Sequence, residues 1–317
     1  MESVDQAERI LALSREARWD FPTSSGRPVS SPSPAWADRF TQDRDSFAEA
    51  AIRLQAQGRP ELAEEVAANV WRLWVLARDE AKGRAFLAAV LDRDGAVRAN
   101  RFRALALYGD GLLAFRQGDL VGSRRRCLAA LETADSVGDP EAKGLALLGL
   151  SRVELSEGEH EQARSHAAAS LATLKGLGPE FTQAPLHMLA QATRVTGPLD
   201  DAAALFAESL ALNRRLGDHG MVRVELHNLG HVELRRGNVD AAERHFDECA
   251  RMNRGTDDPY DIAMELFNRA SVAMARDDRV QAGALMDQAR STLVRAQVSL
   301  ATDDQREFDD LARRLGP

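Results

Sequence analysis

Two histidines four residues apart, His227 and His231 in the string HNLGH, are the side chains best placed for chemistry in this chain. Residues at i and i+4 lie on one helix face, so both imidazoles project together if the segment is helical. His187 precedes His227 by one repeat period, which predicts a third neighbouring imidazole. Three imidazoles with an open fourth position are a ligand set for Zn²⁺. The string is not H-E-x-x-H, however, and the register turns Glu225 and Glu233 away. The same histidines also read as neutral or anion-contacting side chains, or as simple packing. No metal and no cofactor is assigned on this basis.

Arginine supplies the second recurring chemistry. In the helical register, one face collects Arg72, Tyr108, Arg116, Arg152, His187, Gln191, Arg194, His227, Asn228, His231, Arg235 and Phe267. No carboxylate recurs at these positions, although the chain has 49 acidic against 41 basic residues and a net charge of −8. A basic strip on an acidic body selects anions. The planar guanidinium fork suits carboxylates and phosphates, His187, Gln191, His227 and Asn228 add hydrogen bonds, and Tyr108 and Phe267 would anchor apolar side chains. The run Arg124-Arg125-Arg126 falls on an outer helix and reads as a solvated face. Further basic runs with interleaved aromatics, which a nucleic-acid surface needs, are missing. Trp71 and Trp74 read as core. A G-x-S-x-G nucleophile elbow is absent, and no enzymatic activity is expected.

These side chains are positioned by a repeat of 39–40 residues. Small residues recur at Gly111, Ser151, Ala190, Gly230 and Ala270, where a partner helix must cross closely. Seven residues later stand Gly118, Gly158, Gly197 and Gly237, able to take a positive φ and end the helix. Asp119, Glu159, Pro198 or Asn238 follows and suits a helix start. Ser123, Ala163, Ala202 and Ala242 then return a small side chain, and Cys127, Ala167, Phe206 and Phe246 face the core. Asp277 and Arg78 replace the turn glycine in the outermost copies. Self-similarity at this period means stacked helical hairpins. The expected fold is all-α, a tetratricopeptide-like right-handed superhelical solenoid of antiparallel helix pairs.

The expected organisation is an N-terminal helix and Ser/Pro-rich loop over 1–35, a helical cap and degenerate repeat over 36–95, five repeats over 96–297, and a capping helix within 298–317. The first helix, over 4–18, carries Ile10, Leu11 and Leu13 on its apolar side; the Ser/Pro-rich stretch is 21–35. No run of 18 apolar residues predicts a membrane span, and the acidic start lacks the pattern of a secretory signal. Cys127 and Cys249 read as reduced core residues. A cytoplasmic location follows as an expectation.

The spaced constraints small–x6–Gly–[Asp/Asn]–x3–Ala–x3–aromatic resemble the tetratricopeptide repeat with lengthened helices. Together with Asp45-Ser46-Phe47 and GRPELAEEVAANVWRLWVLARDEAKGRAFLAAVL, they resemble the C-terminal helical region of large bacterial signal-transduction ATPase regulators of the LuxR, antibiotic-regulator and MalT-like types. The resemblance matches Trp71 and Trp74 to aromatic positions and implies a turn at Lys82-Gly83-Arg84. No G-x-x-x-x-G-K-[S/T] phosphate loop occurs, and neither the nucleotide-binding nor the DNA-binding domain of that family is expected in these 317 residues. What remains is the part that, by resemblance, senses a partner or a small ligand. The expected function is a non-enzymatic module of bacterial regulation that captures a protein or peptide through an acidic group. A small-molecule sensor, with an anionic ligand, and a metal-dependent enzyme built on the groove histidines stay open as alternatives. Neither membrane nor nucleic acid is an expected partner.

Overall fold

A computed structural model of the chain describes residues 2–19, 39–40, 42–92, 98–255, 257–300 and 302–316. All regular structure among them is helical. The Ser/Pro-rich stretch at 21–35 lies outside the described residues. The helices are α1 (Glu2–Trp19), α2 (Arg44–Ala56), α3 (Pro60–Val70), α4 (Arg72–Leu76), α5 (Glu80–Leu91), α6 (Arg101–Arg116), α7 (Leu120–Val137), α8 (Pro140–Glu157), α9 (His160–Leu174) and α10 (Pro179–Thr196). They continue as α11 (Leu199–Leu216), α12 (His219–Arg235), α13 (Val239–Met252), α14 (Pro259–Ala275), α15 (Arg279–Ala296) and α16 (Thr302–Leu315). The chain forms two compact units, Met1–Thr196 and Gly197–Pro317. The periodicity had not marked that division.

Local chemistry explains the hairpins. Asp119, Asp139, Asp218, Asp258 and Asp278 each accept a backbone N–H in the first turn of the following helix, satisfying a donor that the helix cannot. Gly118, Gly158 and Gly237 take φ of 79°, 82° and 81°. Gly197 does not; Pro198 follows it at φ −59° and ψ 138°. Arg78 and Asp277, which replace the turn glycine, are held at φ 52° and 64°. The fold therefore imposes the left-handed turn on them despite the Cβ clash, which costs about 1–2 kcal/mol per residue.

Close helix crossing explains the small residues. A Cβ on Gly111 would sit 2.8 Å from Cys127 Sγ, and one on Gly230 would sit 2.3 Å from the Phe246 ring. Ser151, Ala190 and Ala270 are fully buried. Burial pushes the Cys127 thiol up to about 12 and the Cys249 thiol up to about 11. Both are free, buried thiols, packing groups rather than nucleophiles. In the first unit Leu11, Phe47, Trp71, Trp74 and Leu87 join one core with the apolar sides of α6 and α8, and Ile10 and Leu13 pack against it.

The apolar stretch after Pro60 is not one helix: it is interrupted at Trp71, which leaves α4 as a single short turn. One expectation changes: Lys82-Gly83-Arg84 is not a turn but lies inside α5. There Gly83 admits the Trp74 side chain, whose Cβ is 2.7 Å from where a glycine substituent would stand.

Candidate functional site

In the first unit the predicted face is built by α4, α6, α8 and α10, with α6 against α8 and α8 against α10. Its centre is a run of contacts between cations and aromatic rings. The Arg72 guanidinium lies 4.5 Å from the centre of the Trp71 ring. Trp71 meets Tyr108 edge to face at 5.8 Å. The Tyr108 hydroxyl accepts from Arg152 Nη1 at 3.1 Å. Tyr108 is 1% exposed and Arg152 9%. Tyr108 is thus a core ring that orients Arg152, not an open apolar anchor. His187, Gln191 and Arg194 on α10 are half-buried.

The expected freedom from carboxylates does not hold at Arg116, whose Nε donates to Glu80 Oε1 at 2.8 Å. Away from this face, ion pairs stitch helix to helix. Arg126 Nε pairs with buried Asp110 at 2.6 Å and its Nη2 with Asp92. Arg124 binds Glu157 and Glu159, which raises its pKa further. Two members of the 124–126 run are therefore tied to named carboxylates rather than merely solvated. The Arg103 guanidinium holds fully buried Glu64 at 2.8 Å. These pairs fix the register of successive hairpins.

In the second unit the equivalent face is covered by the chain's own last helix. His227 and His231 project together from α12, ring centres 4.6 Å apart. Glu307 Oε2 of α16 lies 3.7 Å from His227 Nε2 and 4.0 Å from His231 Nε2, and Asp304 Oδ1 lies 3.9 Å from His227 Nε2. Asp304 also accepts from the Tyr260 hydroxyl. Asn268 Oδ1 stands 3.1 Å from His231 Nε2. Phe267 is 1% exposed and packs on Phe308 of α16 at 5.6 Å, so it too is core and not a ligand anchor. Asn228 is buried and donates to the Val224 carbonyl at 3.0 Å, while Arg235 lies at the exposed end of α12. Glu225 and Glu233 point elsewhere, to Ser209 and to Arg236 and Asn238.

The pairing of the two histidines was legible from their spacing; their carboxylate partners were not. His187 belongs to the first unit. The group that joins His227 and His231 is Glu307, 76 positions beyond His231. Its only sequence signal is that the segment TDDQREFDDLARRL is acid-rich with Phe308 and Leu311 on one side. Among the described residues no helix is long and apolar enough to cross a membrane.

Residues 181–255 match the family model of the tetratricopeptide repeat. A segment of 139 residues is 32% identical to the regulatory protein AfsR of Streptomyces griseus, covering 43% of this chain and 14% of that protein. The chain thus spans a small part of the length of the curated relative it matches. The fold resembles a signal-transduction ATPase with numerous domains and a tetratricopeptide-repeat sensor from Pyrococcus horikoshii, with a TM-score of 0.60 at 15% identity over 89% of this chain and 46% of that one. It also resembles a Rap protein complexed with competence and sporulation factor, with a TM-score of 0.58 at 13% identity over 88% of this chain and 79% of that one. Helix pairs with small residues at their crossings, left-handed turns between most of them and these likenesses agree: residues 181–255 carry tetratricopeptide repeats, and the chain has a tetratricopeptide-like helical fold with a distant likeness to AfsR-type regulators.

Proposed function

We propose that the chain is a non-enzymatic binding module of a bacterial regulator. It captures an acidic peptide or protein segment on the first-helix face of its first unit. The observation that carries this reading is the occupant of the corresponding face in the second unit. There the chain lays its own acid-rich helix α16 on the histidine side chains of α12, with Asp304 and Glu307 toward His227 and His231. In the first unit the face presents Arg72, Arg152, His187, Gln191 and Arg194, with Arg72 and Arg152 oriented by Trp71 and Tyr108. Guanidiniums held against aromatic groups are pre-organised for carboxylates. The relationship to AfsR supports a regulatory setting, and the Rap complex supports ligand capture by this fold.

Selection of a random displayed-peptide library on the full chain tests this. Wild type should enrich sequences rich in Asp and Glu, and binding should weaken with salt because exposed ionic contacts are screened over about 8 Å at physiological strength. Half-buried Arg194→Glu should abolish the enrichment with helicity intact. Arg152→Glu at its buried position serves as a second variant once folding is verified. Enrichment of neutral sequences, or the same acidic set retained by Arg194→Glu, would sink the assignment.

A further inference from the structure

We infer that His227, His231 and Glu307 form a binding site for one divalent transition-metal ion of the Zn²⁺ type, which fastens α16 to α12. Their ligand atoms all lie within 4.8 Å of one another. The carboxylate oxygen stands 3.7 and 4.0 Å from the two imidazole nitrogens, beyond the reach of a hydrogen bond. Ligand atoms around a tetrahedral ion with bonds of about 2.0–2.1 Å are roughly 3.3 Å apart. Each atom has to close by roughly half to one and a half ångströms, which side-chain rotation supplies.

The surroundings suit an ion. Phe246 and Phe267 flank His231 at 5.1 and 5.2 Å, giving an apolar wall that strengthens the attraction to a cation. Glu307 is a quarter exposed and the two histidines less, so the site is sheltered yet open to entry. Asp304, fixed by Tyr260, stands beside His227 as a further oxygen. Asn268 Oδ1, now 3.1 Å from His231 Nε2, either yields that nitrogen to the ion or joins it as a ligand. Two imidazoles and a carboxylate favour Zn²⁺, Co²⁺ or Fe²⁺ over Ca²⁺ and Mg²⁺, which prefer all-oxygen sets. The ion would tie together helices 76 positions apart and make the docking of α16 metal-dependent.

The test uses the full chain, stripped with chelator and titrated with Zn²⁺ by calorimetry and with Co²⁺ by visible absorption. The expected result is one equivalent of either ion, a ligand-field spectrum of low-symmetry Co²⁺, and greater hydrogen-exchange protection of α16 on adding Zn²⁺. Ca²⁺ and Mg²⁺ should do neither. Losing a partner that merely orients a metal ligand costs about 10–100-fold in affinity. His227→Ala and Glu307→Gln remove ligands and should each cost more than about 100-fold, while His219→Ala at an exposed position of the same helix should leave affinity unchanged. Glu307→Gln keeps the side-chain shape and decides the matter if His227→Ala fails to fold. Absence of stoichiometric binding, or an unaltered Co²⁺ spectrum in Glu307→Gln, would overturn the site.

Discussion

The two units put the same helical repeat to different use. In the first, cations on the first helices are held by aromatic side chains, Arg72 over the Trp71 ring and Arg152 by a hydrogen bond to the Tyr108 hydroxyl. In the second, the histidines of the equivalent helix lie under an acidic helix supplied by the chain itself. A face of one register thus carries arginines held by aromatic side chains in one place and histidines facing an acidic helix in the other. Periodicity specifies the face; what covers it depends on where the chain goes next.

The largest expected effect falls on the first unit. Trp71→Ala removes a fully buried ring against which Gly109 and Tyr108 pack. It should cost about 3–5 kcal/mol in urea unfolding and strip hydrogen-exchange protection from α3 to α6. Protection unchanged there would mean that the ring is not the keystone of that face. Phe308→Ala breaks the comparison from the other side. It removes the contact of α16 with Phe267 and should cost about 3 kcal/mol, the low end for such a truncation, because a terminal helix can open locally. The histidine faces of α12 should then exchange and react like exposed side chains, which diethylpyrocarbonate modification reads. If His227 and His231 stay as unreactive as in wild type, α16 is not what covers them.

The next effect is a gain. Arg78 in the first unit and Asp277 in the second occupy left-handed turns built for glycine. Arg78→Gly and Asp277→Gly should each stabilise by up to about 1 kcal/mol, the relief of the Cβ clash less the extra chain entropy. Thermal unfolding of the two variants checks this, and a loss in either would show that its side chain contributes more than the turn costs.

The smallest effect is a pH dependence. Burial holds the His245 imidazole below its ordinary value of 6.5, against a weaker opposing pull from Glu233. The unfolded chain binds that proton more readily, so stability from this group is present above about pH 6.5 and declines as pH falls from there toward the lower folded value. His245→Gln should flatten the slope of stability against pH between 7 and 5 relative to wild type. An identical slope would move the dependence to other groups.

The repeat helices were legible because their evidence is local. An apolar stripe of period 3.6, a small residue at the crossing and a glycine–acid turn all lie within 40 residues, and each has a steric or hydrogen-bonding cause. The break at Trp71 was not legible, since an uninterrupted apolar run reads as one helix. Nor was the turn at Gly197, where Pro198 makes the bend without a positive φ.

The sequence by itself determined the helical class, the glycine turns at Gly118, Gly158 and Gly237, the burial of Trp71, Trp74, Cys127 and Cys249, and the convergence of His227 with His231, because helix geometry ties those to short spacings. Only the tertiary structure decided that Tyr108 and Phe267 are core rings, that Arg116 pairs with Glu80, and that Glu307 joins His227 and His231. Those are contacts between segments far apart in sequence. Their partners are chosen by the packing of whole helices, and no short spacing carries that information.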